Sequence, residues 1–222
     1  VMLRREDIDL LTGTEMTGAT PLNTATNQGQ EEVVKLLLQK DGSKEHVNAK
    51  NKEGLTPLHI ACHEGYEPVV KLLLDNDKVD VNAKDEDDWT PLHFACQEGH
   101  EKFVKLFLEK DGMIGKDEDD MEPLHMTKTK EHSVLPLHLA CQNGYVKVVE
   151  LLIEKDKSED HLTAVRTDGV TPLHLACEKG LERVVELLLQ YKVVNVNATR
   201  NDGVTPFHLA CQEGHEEIVK LL

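Results

Sequence analysis

The sequence predicts an all-α fold, a solenoid of helix–turn–helix units joined by β-hairpin fingers, and two observations support this prediction. First, the motif Thr-Pro-Leu-His-x-Ala-Cys-x-x-Gly recurs almost verbatim, with weaker copies beginning at Thr20 and Leu135. Second, an apolar block of Val, Ile and Leu residues follows each copy, so every copy belongs to the same two-part unit. The strong copies span residues 56–65, 90–99, 171–180 and 205–214.

The spacing of the copies indicates a repeat architecture. The motif's proline recurs at intervals of 34 to 45 residues. One unit of this size cannot bury its own apolar face, so stacked neighbours must share a core. We therefore expect one continuous domain over residues 1–222. The expected repeats are residues 15–50, 51–84, 85–116, 117–165, 166–199 and a truncated one at 200–222, with residues 1–14 as an N-terminal cap or the remnant of a preceding repeat.

The fourth repeat is irregular. Residues 116–126 copy residues 84–94, yet the full motif restarts only at Pro136, which leaves about 11 extra residues. We place this insertion near residues 124–135, as an extended finger or loop. Insertions in repeat proteins map to loops, sometimes on the binding face, so a tolerated expansion and a functional loop are both open.

Local chemistry explains where each helix begins and ends. Thr56 is expected to be a helix N-cap, and Pro57 takes the first helical position, where its missing N–H is no loss. Gly65 supplies the left-handed residue that ends a short helix. A turn at Gly54 is typical of a finger between repeats. The second helix of each unit presents a wide apolar face, which must be buried against its neighbours.

These residues resemble the ankyrin-repeat family. The Thr-Pro-Leu-His motif, the apolar block and a period near ~33 residues match that family over nearly the whole chain. The resemblance implies a rigid domain that binds a partner protein or peptide on the concave surface formed by the finger tips and the inner helices. It also implies that the motif histidines form hydrogen bonds between neighbouring repeats.

Charge and hydropathy restrict the partners. The chain has 25 Lys and Arg residues against 41 Asp and Glu residues, a net charge of -16. This charge opposes binding to nucleic acid and to anionic membranes. Apolar runs fall far short of the ~20 residues that span a bilayer, so we expect no direct membrane insertion. We expect a monomer whose partner carries basic and apolar residues.

All five cysteines occupy the same position of the repeat, so each should be held at a similar depth. Equivalent cysteines of adjacent repeats should lie roughly 10 Å apart, beyond the ~7 Å limit for a disulfide. Reduced cysteines point to an intracellular location, cytoplasmic or nuclear, which includes an effector delivered into a host cell. The cysteines are Cys62, Cys96, Cys141, Cys177 and Cys211.

The recurring His-x-x-Cys spacing does not indicate a metal site or an enzyme. Zinc requires four convergent ligands, and each repeat offers only two. Catalysis needs one distinctive constellation, whereas this one recurs in five repeats. The sequence also lacks a Gly-rich phosphate loop and a His-Glu-x-x-His motif. We therefore predict no enzymatic activity, no cofactor and no metal, and keep a metal-dependent or cysteine-dependent enzyme only as a contrasting hypothesis.

The candidate binding residues lie on the fingers and the inner helices. Trp89 is the only tryptophan, and exposed tryptophans often dominate interfaces, although packing on the next finger is the alternative. The acidic residues around it either face a basic partner or form solvated surface. The candidates are Leu55, Trp89, Met121, Val170 and Val204 as an apolar stripe, Glu86, Asp87 and Asp88 as the acidic group, and Gln97, Glu98, Gln142 and Asn143 on the inner helices.

Two further expectations concern modification and context. Asn82 and Asn197 lie in Val-Asn-Ala segments that resemble the sites where asparaginyl hydroxylases modify ankyrin proteins, although finger-stabilising hydrogen bonds also explain asparagine there. The alternative function is a structural spacer or regulatory segment of a larger protein, such as a channel, an enzyme or a microbial effector. The motivation is that the last helix has no polar capping repeat after it.

Overall fold

The computed structural model of the chain describes residues 16–109 and 134–222. Over these two stretches the chain forms fourteen helices and no strand, which confirms the all-α class. The chain divides into two compact units, residues 1–98 and 99–222. Residues 1–14, Met121 and most of the insertion predicted near residues 124–135 lie outside the described residues. The single continuous domain over residues 1–222 stays a prediction.

In each repeat we call the helix that begins at the Thr-Pro pair, or its equivalent, the inner helix and the helix that follows it the outer helix. In the first unit, inner helices pack on inner helices and outer helices on outer helices. Inner helices α1, α4 and α6 stack in sequence, and outer helix α2 contacts outer helix α5. This arrangement buries the side chains of Leu22, Leu58 and Leu73 completely. The helices of this unit are α1 (Pro21–Asn27), α2 (Glu31–Lys40), α3 (Lys44–Val47), α4 (Pro57–Glu64), α5 (Glu67–Leu74) and α6 (Pro91–Gln97).

The second unit follows the same plan. Inner helices α8, α11 and α13 stack in sequence. Each of the outer helices α7, α9, α12 and α14 contacts the next one along the chain. The core of this unit includes Leu137, Leu152 and Leu188. Its helices are α7 (Glu101–Glu109), α8 (Pro136–Asn143), α9 (Val146–Lys155), α10 (Glu159–Leu162), α11 (Pro172–Glu178), α12 (Glu182–Leu189), α13 (Pro206–Glu213) and α14 (Glu216–Leu221).

Each inner helix begins at its Thr-Pro pair or the equivalent, as predicted. In α4 the hydroxyl of Thr56 accepts a hydrogen bond from the backbone N–H of His59 at 3.4 Å, and Pro57 is the first helical residue. The helix ends at Gly65, whose φ of 80° lies in the left-handed region. A residue with a Cβ atom is disfavoured at such a φ, which explains the glycine.

The motif histidines link neighbouring repeats, and this confirms their predicted role. The backbone N–H of Thr56 donates to Nδ1 of His59 at 3.1 Å, and Nε2 of the same ring lies 3.0 Å from the carbonyl oxygen of Trp89 in the next finger. Because Nδ1 accepts, the neutral ring carries its proton on Nε2 and donates to that carbonyl. In the second unit, Nε2 of His138 and of His174 meets a carbonyl oxygen in the same way, at 3.1 Å and 3.2 Å.

The first repeat makes the same connections with an asparagine. Oδ1 of Asn23 accepts from the backbone N–H of Thr20 at 3.0 Å, and Nδ2 donates to the carbonyl oxygen of Ala49 at 3.2 Å. The amide therefore offers the same acceptor and donor as the neutral imidazole, but it does not titrate.

The fingers are tight turns, whereas the sequence predicted β-hairpins. In the finger of residues 51–55, Oδ1 of Asn51 accepts from the backbone N–H groups of Glu53 and Leu55 at 3.0 and 2.9 Å. The side chain thus takes amide groups that a strand ladder would need, so the backbone closes as a turn. Gly54 allows the next finger to approach, since a Cβ atom there would lie 2.7 Å from the backbone N of Glu86.

Candidate partner-binding groove

Two fingers of the first unit place the acidic candidates. The first is the finger of residues 51–55, and the second is the finger of residues 85–89. In the second finger, Oδ1 of Asp85 accepts from the N–H groups of Asp87 and Trp89 at 3.0 and 2.8 Å, as Oδ1 of Asn51 does in the first. The N–H of Glu86 donates to the carbonyl oxygen of Glu53 at 3.3 Å, which joins the two fingers. These hydrogen bonds therefore fix the backbone of the turn from which Glu86 and Asp87 extend.

Asp88 shows backbone strain in the same finger. Its φ of 65° is the one positive value among the non-glycine residues of the described stretches. The equivalent positions of other fingers are Gly54, Gly169 and Gly203, with φ values of 78°, 82° and 83°. An L-residue in this region costs roughly 1–2 kcal/mol, less for Asp than for most. Asp88 therefore adds a negative charge to this finger at a backbone conformation that glycine adopts more easily.

An aromatic cluster lies beside the acidic finger. The Trp89 ring packs on Phe94 of α6 with ring centroids 5.4 Å apart and on His93 at 5.8 Å. Phe94 also meets the rings of His59 and His63 of α4, at 5.7 and 5.8 Å and steep interplanar angles. Edge-to-face contacts of this kind add about 0.5–1.5 kcal/mol per pair to ordinary burial. The cluster therefore packs rings of two neighbouring repeats against one another.

A groove opens over this cluster. It has a volume of about 880 Å³ and is bounded by the fingers and by the inner helices α1, α4 and α6. Leu55, Ile60 and Phe94 supply apolar surface within it. Polar residues of α1, among them Asn27 and Gln28, line the groove on the side of the first repeat. We call this feature the finger groove.

The finger groove is strongly acidic. Lys52 is the one lysine or arginine among its lining residues. Burial raises the pKa of the Asp85 carboxyl, while N–H groups of its own turn oppose that shift. A positive ligand group would relieve the repulsion among these carboxylates, so charge complementarity favours a basic partner. The acidic lining residues are Glu53, Glu64, Asp85, Glu86 and Asp87.

The structure brings together only some of the candidate residues. Leu55, Glu86 and Asp87 line the finger groove, and half-buried Trp89 supports it through Phe94. The other candidates do not line it. Half-buried Asp88, Gln97 and Glu98 lie elsewhere in the first unit, half-buried Gln142 and Val204 and exposed Asn143 lie in the second, and Met121 lies outside the described residues.

Val170 departs from the predicted apolar stripe. Its side chain is only 6 % exposed and belongs to the core of the second unit. It offers too little surface for a partner, because the apolar residue before Thr-Pro turns inward there. We therefore leave Val170 out of the candidate surface.

Sequence reasoning missed most of the lining residues, among them Phe94, His63 and Glu64. One signal was available for Phe94. The residue after the motif histidine is aliphatic in the other strong copies and in the copy from Leu135, whereas the third repeat has phenylalanine. No pattern in the sequence singles out His63 or Glu64, which become relevant only through their neighbours in space.

The motif cysteines do not form a reactive site. Cys62, Cys96, Cys141 and Cys177 are buried free thiols, and burial raises their pKa, to about 12 for Cys177. Cys211, which lies on α13, is exposed, against the expectation of similar depth. The described stretches contain no group of His, Cys, Asp or Glu residues arranged to hold a metal ion.

The hydroxylation candidates are accessible. Asn82 and Asn197 are both exposed on their fingers. The backbone N–H of each donates to a side-chain oxygen two residues earlier, at 3.0 Å, and the turn therefore does not require either amide side chain for that bond. Their hydroxylation stays a prediction. Neither described stretch contains a helix long and apolar enough to cross a membrane.

Comparison with protein families identifies the class of protein. A family model for ankyrin repeats in three copies matches residues 2–85, 77–161 and 137–222. These matches cover nearly the whole chain, so the protein belongs to the ankyrin-repeat family, and the predicted fold class is confirmed. Ankyrin repeats are protein–protein interaction modules. A search of the curated proteins found no match.

Solved structures share the fold. The ankyrin repeat domain of Bcl-3, a member of the IkappaB protein family, is 24% identical with a TM-score of 0.71, over 95% of this chain and 86% of that one. A chain from the complex of the predatory endopeptidase Bd0816 of Bdellovibrio bacteriovorus with the immunity protein Bd3460 is also 24% identical. Its TM-score is 0.74, over 91% of this chain and 96% of that one.

Proposed function

We propose that this chain is a non-catalytic interaction module that binds a partner protein or peptide in the finger groove of its first unit. The observation that supports the proposal is the groove itself, an acidic concavity with an apolar aromatic floor held by hydrogen-bonded fingers. Binding to such a preorganised surface costs little ordering of the protein, so most of the contact energy contributes to affinity.

The composition of the groove favours a particular partner. Apolar surface at Leu55 and Phe94 accommodates an apolar side chain, and the surrounding carboxylates favour Lys or Arg beside it. The same carboxylates oppose nucleic acid, whose phosphates would be repelled. We propose that the chain acts as an intracellular monomer, with reduced cysteines. A role as a spacer or regulatory segment of a larger protein is the alternative.

Peptide selection tests the proposal. A phage-displayed library of random dodecapeptides is panned against the purified chain, and the affinity of the best synthetic peptide is measured by calorimetry. Leu55→Arg adds a bulky charge to the groove and should weaken binding by about tenfold or more. Circular dichroism checks that the variant is folded.

A matched control separates the groove from general charge effects. Leu36 lies on α2 of the same unit and is 63% exposed, and it does not line the groove. Leu36→Arg adds the same charge and should leave the affinity unchanged. A library that yields no binding peptide, or a peptide that binds Leu55→Arg as tightly as the parent chain, would contradict the proposal.

A further inference from the structure

We propose that Phe94 forms the subsite for one cationic side chain, Arg or Lys, of the bound peptide, and that this contact sets the specificity of the finger groove. The inference rests on the proposed function and adds to it a specificity-determining residue with the ligand group that it receives.

Phe94 differs from its equivalents in both chemistry and exposure. Four other repeats have an aliphatic residue at this position, and those side chains are only 5–7% exposed. Phe94 is half-buried and lines the finger groove. These aliphatic side chains are nearly buried, including Ile60 at the edge of the groove, whereas the third repeat presents a half-buried ring to the groove. The equivalents are Ile60, Leu139, Leu175 and Leu209.

The ring of Phe94 is held in place by its neighbours. His59, His63 and Trp89 contact it at interplanar angles of 89°, 79° and 61°. These contacts restrict rotation of the ring and leave part of it open to the groove. A cation near such a ring is attracted by the negative potential of its face.

Carboxylates line the same groove as this ring. Oε1 of Glu64 lies 2.9 Å from Nδ1 of His63, which itself contacts Phe94, so this carboxylate is close to the cluster. Glu86 and Asp87 also line the groove, and they belong to the finger that leads into Trp89. Within the described residues, neither Glu86 nor Asp87 has a salt-bridge partner.

Together these features describe a subsite for a planar or compact cation with an apolar stem. The aliphatic part of an Arg or Lys side chain can lie along half-buried Leu55 while its charged end approaches Phe94 and the carboxylates. Arginine should bind more tightly than lysine, because its guanidinium stacks on an aromatic ring and is less strongly hydrated.

Four peptide pools test the subsite. Each pool consists of fluorescein-labelled nonapeptides with Arg, Lys, citrulline or Glu at the centre and equimolar neutral residues at the other positions. Citrulline keeps the shape of arginine and removes its charge. Fluorescence anisotropy should show the arginine pool binding about tenfold more tightly than the citrulline pool, with the glutamate pool weakest.

Phe94→Leu isolates the contribution of the ring. Leucine is the residue that three other repeats use at this position, so the fold should tolerate it. The variant should bind the arginine pool about threefold to tenfold more weakly and should bind the citrulline pool with nearly unchanged affinity. Phe207→Leu is the matched control, because Phe207 is 44% exposed on α13 of the second unit and should not affect either pool.

Two results would overturn the inference. One is an arginine pool that binds no better than the citrulline pool. The other is an equal loss of affinity for both pools in Phe94→Leu. Neither result would affect the proposed function, which depends on the library-selected peptide and its sensitivity to Leu55→Arg.

Discussion

The buried motif histidines should make the stability of this protein depend on pH. Burial lowers the pKa of His59 and of His138 to about 4, from the ordinary value of 6.5. Each ring is neutral in the folded protein because Nδ1 accepts a backbone N–H, and a proton on Nδ1 would abolish that bond. Acid therefore favours the unfolded chain, in which the same rings protonate freely.

The sign and size of the effect follow from linkage. Above pH 6.5 both states hold a neutral ring, so the contribution of each histidine to stability is fully present. As the pH falls from 6.5 to about 4 only the unfolded state takes up the proton, and below about 4 the loss is complete. The full loss is about 3 kcal/mol for each ring, of which about 2 kcal/mol is lost between pH 7 and pH 5.

The first repeat suggests the control variant. Asn23 makes both hydrogen bonds of the motif histidine without titrating, so His59→Asn and His138→Asn should retain the connections at every pH. Urea unfolding of the parent chain and of the double variant is followed by circular dichroism at pH 7, 6 and 5. Packing changes shift the free energy of unfolding of the variant equally at each pH. We therefore compare how much of that free energy each protein loses between pH 7 and pH 5, and we expect a larger loss in the parent chain. Parallel profiles would refute the reasoning.

Four other predictions follow from single residues. In urea unfolding, Gly203→Ala should cost about 1 kcal/mol of stability because of the positive φ at that position. Gly169→Ala should cost at least about 2 kcal/mol, because its new Cβ would also lie 2.8 Å from the backbone N of Asn201 in the next finger, whereas a Cβ at Gly203 meets no atom within 4 Å. Asp88→Gly should raise the free energy of unfolding by about 0.5 kcal/mol, and Asp88→Asn by less. In the native chain one thiol, Cys211, should react promptly with Ellman's reagent, and five should react in urea. Trp89→Ala should weaken binding of the selected peptide about tenfold in calorimetry, and unchanged affinity in a folded variant would remove Trp89 as an anchor.

The scaffold could be predicted from the sequence because its determinants are local. Thr56, Pro57 and Gly65 define the start and end of a helix through capping and backbone preference, and these effects act within a few residues. The inter-repeat role of His59 came from the family resemblance, and its hydrogen bond to the next finger agrees. Because the motif is repeated, the same helix boundaries are predicted in each repeat.

The candidate site was harder to predict because exposure depends on neighbours in space. Val170 and Leu55 occupy equivalent positions before Thr-Pro, yet one is buried and the other lines the groove. Phe94 lies at a position that is core in other repeats, and its access to the groove depends on how Trp89 and His63 pack around it. Such differences arise from tertiary contacts that differ between repeats, and a shared sequence pattern does not reveal them.

Two smaller differences have equally physical causes. The fingers close as turns because the side chains of Asn51 and Asp85 take the amide groups that a strand ladder would use. Cys211 is exposed although its equivalents are buried, so the depth of a motif cysteine depends on what covers its own helix. In both cases the repeat position was identified correctly, and the surroundings decided the outcome.

The central claim is that the finger groove of the first unit is a preformed docking surface for a peptide. An amide NMR titration of the isotope-labelled chain with the library-selected peptide tests it most directly, with the indole N–H of Trp89 as an additional reporter. We expect the largest shift changes in residues 17–28, 51–64 and 85–94, which contain the groove lining. Saturable binding with its largest changes in α13 and α14 would contradict the claim.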